Sequence, residues 1–267
     1  MTDPIPLNKN ENAGSHAASA LQCRNMIAIA SGKGGVGKTW FAITLCHALA
    51  KRGKHVLLFD GDLGLANVDI QLGLTPDRDL GAVIDGTSTL PGAILQYKEG
   101  GFDILAGRSG SGNLASLATQ KLSELRNDLI ALARTYDFVL VDLGAGVDRS
   151  VRQMAGPAAM TYVVVTDEPT SLTDAYAFIK LARAANPGAE MRVIVNMAAN
   201  AADGQKTYDT IRKACETFLH YSPPLAGIVR RDPKVRDAIR AQTPLLIRSP
   251  ASDAAMDVMT IASHFFT

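Results

Sequence analysis

The sequence predicts an α/β fold: a mostly parallel, twisted sheet of about seven strands with helices on both faces. Short apolar runs alternate along the chain with segments of helical periodicity, which is the pattern of βαβ units. A glycine-rich loop, Ser31-Gly32-Lys33-Gly34-Gly35-Val36-Gly37-Lys38-Thr39, separates the first apolar run from the first helical segment. Asp60, Asp62, Asp142 and Asn196 each stand just after an apolar run, where open parallel sheets place their ligands.

The elements follow in order. Met26-Ile27-Ala28-Ile29-Ala30 is a run of the kind shown by a strand buried on both faces. After the loop, Phe41, Leu45 and Leu49 recur at helical spacing, giving a helix over 38–52. His55-Val56-Leu57-Leu58-Phe59-Asp60 is the second strand and 102–106 the third. A helix over 119–135 leads to Asp137-Phe138-Val139-Leu140-Val141-Asp142. Strands at 161–166, 191–195 and 225–229 then alternate with helices near 170–185, 204–219, 232–241 and 253–266.

At 267 residues and 47% hydrophobic content, the chain can bury the core of one large domain or two small ones. We assign 26–267 to the α/β domain. Residues 1–25 are polar, carry no apolar signal core, and read as a flexible tail with a short helical turn over 17–21.

Composition excludes several classes. With 27 basic against 26 acidic residues, bulk charge implies neither nucleic acid nor membrane as a partner. Cys23, Cys46 and Cys215 form no C-x-x-C pair, which suits a reducing cytosol and argues against structural zinc. The five histidines lack ligand spacing, and no run of 18 apolar residues exists to span a membrane.

The glycine-rich loop fits G-x-x-x-x-G-K-[ST], the P-loop. Its backbone N–H groups turn inward around a phosphate, and its end on a helix N-terminus favours an anion. Gly32, Lys33, Gly34, Gly35, Val36 and Gly37 form the cradle; Lys38 reaches the β- and γ-phosphates, and the Thr39 hydroxyl coordinates Mg²⁺. Phosphoryl transfer to water also needs a held metal and a positioned water. Asp142, at a strand end before Leu-Gly-Ala-Gly, fits the Walker B aspartate that holds a metal-bound water. Asp60 and Asp62, separated by one glycine, project to the same side of an extended chain. One of them can hold a metal-bound water while the other orients the attacking one. Trp40, the only tryptophan, is next to Thr39 but turned about 100° away from it on the helix. It is expected at the base of the cradle, close to the nucleotide.

Lys33 is not required by an ordinary P-loop. K-G-G-V-G-K-T resembles the deviant Walker A of the MinD/ParA class, and the resemblance runs from about Met26 to the C-terminus. Three segments narrow it. Asp60-Gly61-Asp62-Leu63-Gly64-Leu65-Ala66-Asn67-Val68-Asp69, Asp167-Glu168-Pro169-Thr170-Ser171-Leu172-Thr173-Asp174-Ala175-Tyr176-Ala177 and Val195-Asn196-Met197-Ala198 are similar to stretches of the FlhG/FleN branch, which controls flagellar number and placement.

The resemblance implies an ATPase that binds ATP or ADP with Mg²⁺, hydrolyses slowly, and acts as an ATP-dependent homodimeric switch. Lys33 would reach the partner subunit's nucleotide. Lys38 and Thr39 would contact phosphate and Mg²⁺, with Asp142 as Walker B. Asp60 would act on the metal from one step away, Asp62 would position the hydrolytic water, and Asn196 would read the adenine edge. The implied partners are a flagellar transcriptional activator, a signal-recognition-type GTPase or basal-body components. The implied location is the cytoplasm, with recruitment to a cell pole by such partners.

Some features depart from that branch. Ser15-His16-Ala17-Ala18 is at best a degenerate form of the Asp-Gln-Ala element through which relatives stimulate a GTPase. Residues 249–267 carry no Lys or Arg, and Val258, Ile261, Ala262 and Phe265 have core-facing spacing, so membrane contact is expected to be only indirect. The stretch Arg230–Arg240 holds five basic and two acidic residues. It reads as a solvated helix from near Pro233 beside the nucleotide pocket, or as a phosphate-tracking surface. The second reading belongs to an alternative function, a positioning ATPase for another cargo that binds DNA nonspecifically. A reductase resembling nitrogenase iron protein would need paired cluster cysteines, and neither Cys46 nor Cys215 sits in the segment that requires them.

Overall fold

The computed structural model describes residues 23–62, 64–107 and 118–266. The expected tail up to residue 22, with Ser15–Ala18 and the turn over 17–21, lies outside the described residues, as does Leu63. The central strand β1 (Cys23–Ser31) begins three residues before the boundary drawn from sequence. Its alternate residues divide between two cores. Met26, Ala28 and Ala30 face one, Ile27 and Ile29 the other, and all five are buried. The sheet is therefore covered on both sides, which is why its strands read as unbroken apolar runs.

Around β1 the remaining strands are β2 (Val56–Gly61), β3 (Leu95–Tyr97), β4 (Phe102–Leu105), β5 (Phe138–Ala145), β6 (Ala158–Val165), β7 (Glu190–Ala198) and β8 (Leu225–Arg230). The sheet order is β3-β4-β2-β5-β1-β6-β7-β8. Every neighbouring pair is parallel except β3–β4, which is antiparallel. The sequence accounts for seven of these eight strands. The eighth, β3, is a three-residue edge strand too short to show an alternation.

Helix α1 (Lys38–Ala50) is buried from Lys38 through Leu49, wedged between the sheet and the C-terminal helices. On its side lie α2 (Val68–Leu72), α8 (Pro233–Arg240), α9 (Leu245–Arg248) and α10 (Asp253–Ser263). The opposite face carries α4 (Thr119–Ala133), α5 (Arg149–Ala155), α6 (Pro169–Ala185) and α7 (Ala201–Leu219) through Leu125, Leu129, Met154, Phe178 and Ile211. The short α3 (Leu80–Ile84) packs at the β4 side, where Leu80 N–H donates to the Ala106 carbonyl. Helices α2, α3, α5 and α9, of four to seven residues, were not legible as periodic segments.

Candidate functional site

The chain leaves β1 at Ser31, at the carboxyl edge of the sheet, and turns into α1 through the glycine-rich loop. Ser31 is buried, and its hydroxyl donates to the Lys33 carbonyl at 2.8 Å. Gly37 precedes α1 in the left-handed region at φ 87. A Cβ there would lie 2.5 Å from the Asn196 amide nitrogen, so the position requires glycine twice over. That amide donates to the Val36 carbonyl at 2.8 Å, tying the loop to the end of β7. Gly32 packs flat on α6: a Cβ on it would come within 2.1 Å of the Asp174 backbone. Two of the three signature segments, those at 167–177 and 195–198, thus touch the phosphate cradle itself.

Lys38 and Thr39 are 8% and 9% exposed on the first turn of α1. Asp60 and Asp142 are paired in register on adjacent strands β2 and β5 at the same edge. Asp142 is 1% exposed, and neither of its carboxylate oxygens has a hydrogen-bond partner among the described residues. Burial pushes its carboxyl up to about 6, against the opposing pull of the Lys38 charge and the Thr39 hydroxyl. The hydroxyl is near enough to favour the charged form without completing a well-aligned bond. Two unpartnered carboxylate oxygens beside a threonine hydroxyl are the hard oxygen donors that Mg²⁺ selects. The residues present fit that ion.

Asp60 is fully buried and its oxygens are already taken. They accept from the backbone N–H groups of Asp62 at 3.3 Å, Asn67 at 3.1 Å and Val68 at 3.2 Å. Burial, reinforced by Asp142, pushes its carboxyl up to about 7 even so. Asp60 therefore fastens the segment leading into α2 beside Asp142. Asp62 is half-buried beside Gly144, with one oxygen accepting from the Leu65 N–H at 3.1 Å. The two aspartates have different neighbours, a distinction that spacing alone leaves open.

Lys33 lies at the rim. Its ammonium is paired with Glu168 and donates to the Thr170 hydroxyl at 2.8 Å, with the side chain 36% exposed. Both partners belong to the 167–177 segment at the start of α6. Sequence reasoning singled out that segment as a family mark and missed that it holds Lys33.

From Gly37 a pocket of about 820 Å³ opens along α8, lined by Trp40, Asn196, Met197, Val235 and Ile239, with Arg231, Arg236 and Arg240 at its edge. This volume suits the base and sugar of a nucleotide. Met197 adopts φ 57, an uncommon conformation for a non-glycine residue. The basic stretch is less basic than its composition. Arg230 is bound to Asp253 and Asp257 of α10, while Asp232 caps α8 through the Lys234 N–H at 2.9 Å. Arg231, Lys234, Arg236 and Arg240 remain exposed. Cys46 and Cys215 are buried.

A phosphate cradle at the carboxyl edge of a parallel sheet, a lysine and threonine at the helix start, and a buried aspartate with two unpartnered oxygens define a P-loop ATPase with ATP or ADP and Mg²⁺ as its cofactors. The chain belongs to the CobQ/CobB/MinD/ParA nucleotide binding domain family, whose model matches residues 27–245. It is 37% identical to the antiactivator FleN of Pseudomonas aeruginosa over 89% of this chain and 84% of that protein. Identity to the flagellum site-determining protein YlxH of Helicobacter pylori is 30%, over 82% of this chain and 76% of that one. Among solved structures, the septum site-determining protein MinD of Pyrococcus horikoshii, complexed with Mg-ADP, superposes with a TM-score of 0.76 at 25% identity. That match covers 91% of this chain and 96% of the other.

Proposed function

We propose that this protein is a Mg²⁺-dependent, slowly hydrolysing ATP switch that dimerises on ATP and regulates flagellar number, placement or flagellar gene expression. The observation that carries the switch is Lys33. Lys38 already serves the cradle of its own subunit, and Lys33 instead stands at the rim on an exposed ion pair. Exposed pairs contribute little, about 0–1 kcal/mol, so this one yields readily to a stronger anion. The γ-phosphate in a facing subunit is such an anion. Asp142 with Thr39 would hold Mg²⁺, Asp62 would orient the attacking water, and the remaining acceptor of Asn196 would read the adenine amino group. The metal, when bound, neutralises charge on the β- and γ-phosphates.

The flagellar part rests on likeness to FleN and YlxH and on the agreement of three separate segments. On that basis the partners are a flagellar transcriptional activator, a signal-recognition-type GTPase or basal-body proteins, with recruitment from the cytoplasm to a cell pole. No helix among the described residues is long and apolar enough to cross a membrane. Gel filtration with ATP, ADP and no nucleotide tests the switch: ATP alone is expected to double the apparent mass. Equal elution under all three conditions would reject it.

A further inference from the structure

Trp40 touches two spaces. One side of the residue lines the large pocket beside Gly37, Asn196 and Met197; another closes a cavity of about 10 Å³ against Gln71 and Leu72 of α2 and Leu245 of α9. The side chain is 5% exposed. Its indole N–H has no acceptor, and the Gln71 side-chain carbonyl has no donor; both atoms are shielded from solvent. A donor without an acceptor and an acceptor without a donor, on two residues that line one cavity, are chemical complements. Each is costly to leave unpaired.

Helix α2 is held at two points. The Asn67 and Val68 N–H groups at its start donate to Asp60, the register partner of Asp142. Near its end the Gln242 side chain donates to the Ile70 carbonyl at 3.1 Å, and Gly73 follows in the left-handed region at φ 65. A change at the carboxylate pair is therefore transmitted to the start of α2, whose other end sits at a residue able to hinge.

We propose that Trp40 is a positioning residue linking the nucleotide pocket to α2. On ATP and Mg²⁺ binding, α2 advances on α1 and the Trp40 N–H pairs with the Gln71 carbonyl. The inference rests on reading the site as a nucleotide site. Contacts thus form a continuous path from Asp142 through Asp60, Asn67 and Gln71 to Trp40 and back to the pocket. The element with two positions is α2, and the bound nucleotide biases it.

The chain has one tryptophan, so its emission reports the surroundings of Trp40 and of no other residue, and the Gln71 variant separates the α2 contact from the pocket. Emission spectra are recorded for the full chain without nucleotide, with Mg-ADP and with Mg²⁺ plus a non-hydrolysable ATP analogue, while equilibrium dialysis measures binding. In the parent, the ATP analogue is expected to shift emission to the red relative to ADP, because a hydrogen bond from the indole N–H stabilises its polar excited state. Gln71→Leu, on the half-buried face of a short helix, is expected to abolish that shift while still binding both nucleotides. Trp40→Phe keeps an aromatic ring, though a smaller one, and loses the donor; its ratio of analogue to ADP affinity is expected to fall several-fold, the scale of a modest coupling. Failure to bind any nucleotide would overturn both the ATPase reading and this one. Binding with identical spectra, or a shift that survives in Gln71→Leu, would overturn the Trp40–Gln71 link and leave the ATPase reading standing.

Discussion

With ATP and Mg²⁺, the Asp62→Ala protein is expected to elute as a persistent dimer, whereas Lys33→Ala binds ATP and stays monomeric. The physical reason is a division of labour. Asp62 has an oxygen beyond the one that accepts from Leu65, so on the proposed reading its loss would remove the group that orients water and spare the cradle. Each Lys33 would contribute a charge-assisted hydrogen bond worth about 1.5–3 kcal/mol, about 10–150-fold per lysine, and a two-fold dimer would hold two of them. Against this, its pair with Glu168 is too exposed to hold it back by more than about 1 kcal/mol. Glu168→Ala is therefore expected to change the ATP requirement for dimerisation by less than about fivefold. Sedimentation equilibrium checks all three variants. A Lys33→Ala protein that dimerises like the parent would sink the assignment of Lys33 to the facing subunit.

Asp142→Asn is expected to remove Mg²⁺-dependent hydrolysis, by at least about a hundredfold, while making the nucleotide-free protein more stable. Stability and activity part company here because the carboxyl is buried and raised to about 6, above its ordinary value of 3.8. A carboxyl whose folded value is raised contributes stability that is full below the unfolded value and is lost as pH rises through the folded one. The parent without nucleotide therefore loses stability from about pH 4 to pH 7 through this group, and the amide does not. At pH 8 the variant is expected to gain about 1–3 kcal/mol, a gap that closes toward pH 4. Mg-ATP is expected to protect the parent more at pH 8 than at pH 5.5, since only the ionised carboxylate serves as a metal ligand. Thermal melts across that range check the sign. A variant less stable than the parent at pH 8 would mean that the Lys38 charge outweighs the cost of burial.

Much of the site is written locally in the chain. The cradle, Lys38 and Thr39 are contiguous, and Asp60, Asp142 and Asn196 each end an apolar strand, so periodicity placed them at one edge before any fold was known. What periodicity could not supply is pairing between distant segments. The contact of Lys33 with Glu168 joins residues 135 positions apart, and the tie from Asn196 to Val36 spans 160. Local pattern also leaves Asp60 and Asp62 equivalent; only the loop amides that converge on Asp60 separate them. The short helices α2, α3, α5 and α9 end before a 3.6-residue period can repeat often enough to show. Arg230 looked like part of a basic surface because its two carboxylate partners lie 23 and 27 residues further on.

The burial of α1 from Lys38 through Leu49 has a consequence for how time can be measured in this molecule. Past its first turn, which faces the phosphate cradle, α1 is buried between the sheet and α10, so those amide hydrogens exchange near the slowest rate the protein permits. Those amides constitute an internal clock. Any ligand that binds only the folded chain slows that clock by the factor 1 + [L]/Kd, wherever on the protein it docks. The amides of α2, on a short helix with a half-exposed face, keep a faster and separate time. Comparing the two rates distinguishes a nucleotide that merely stabilises the fold from one that also locks the neighbouring helix in place.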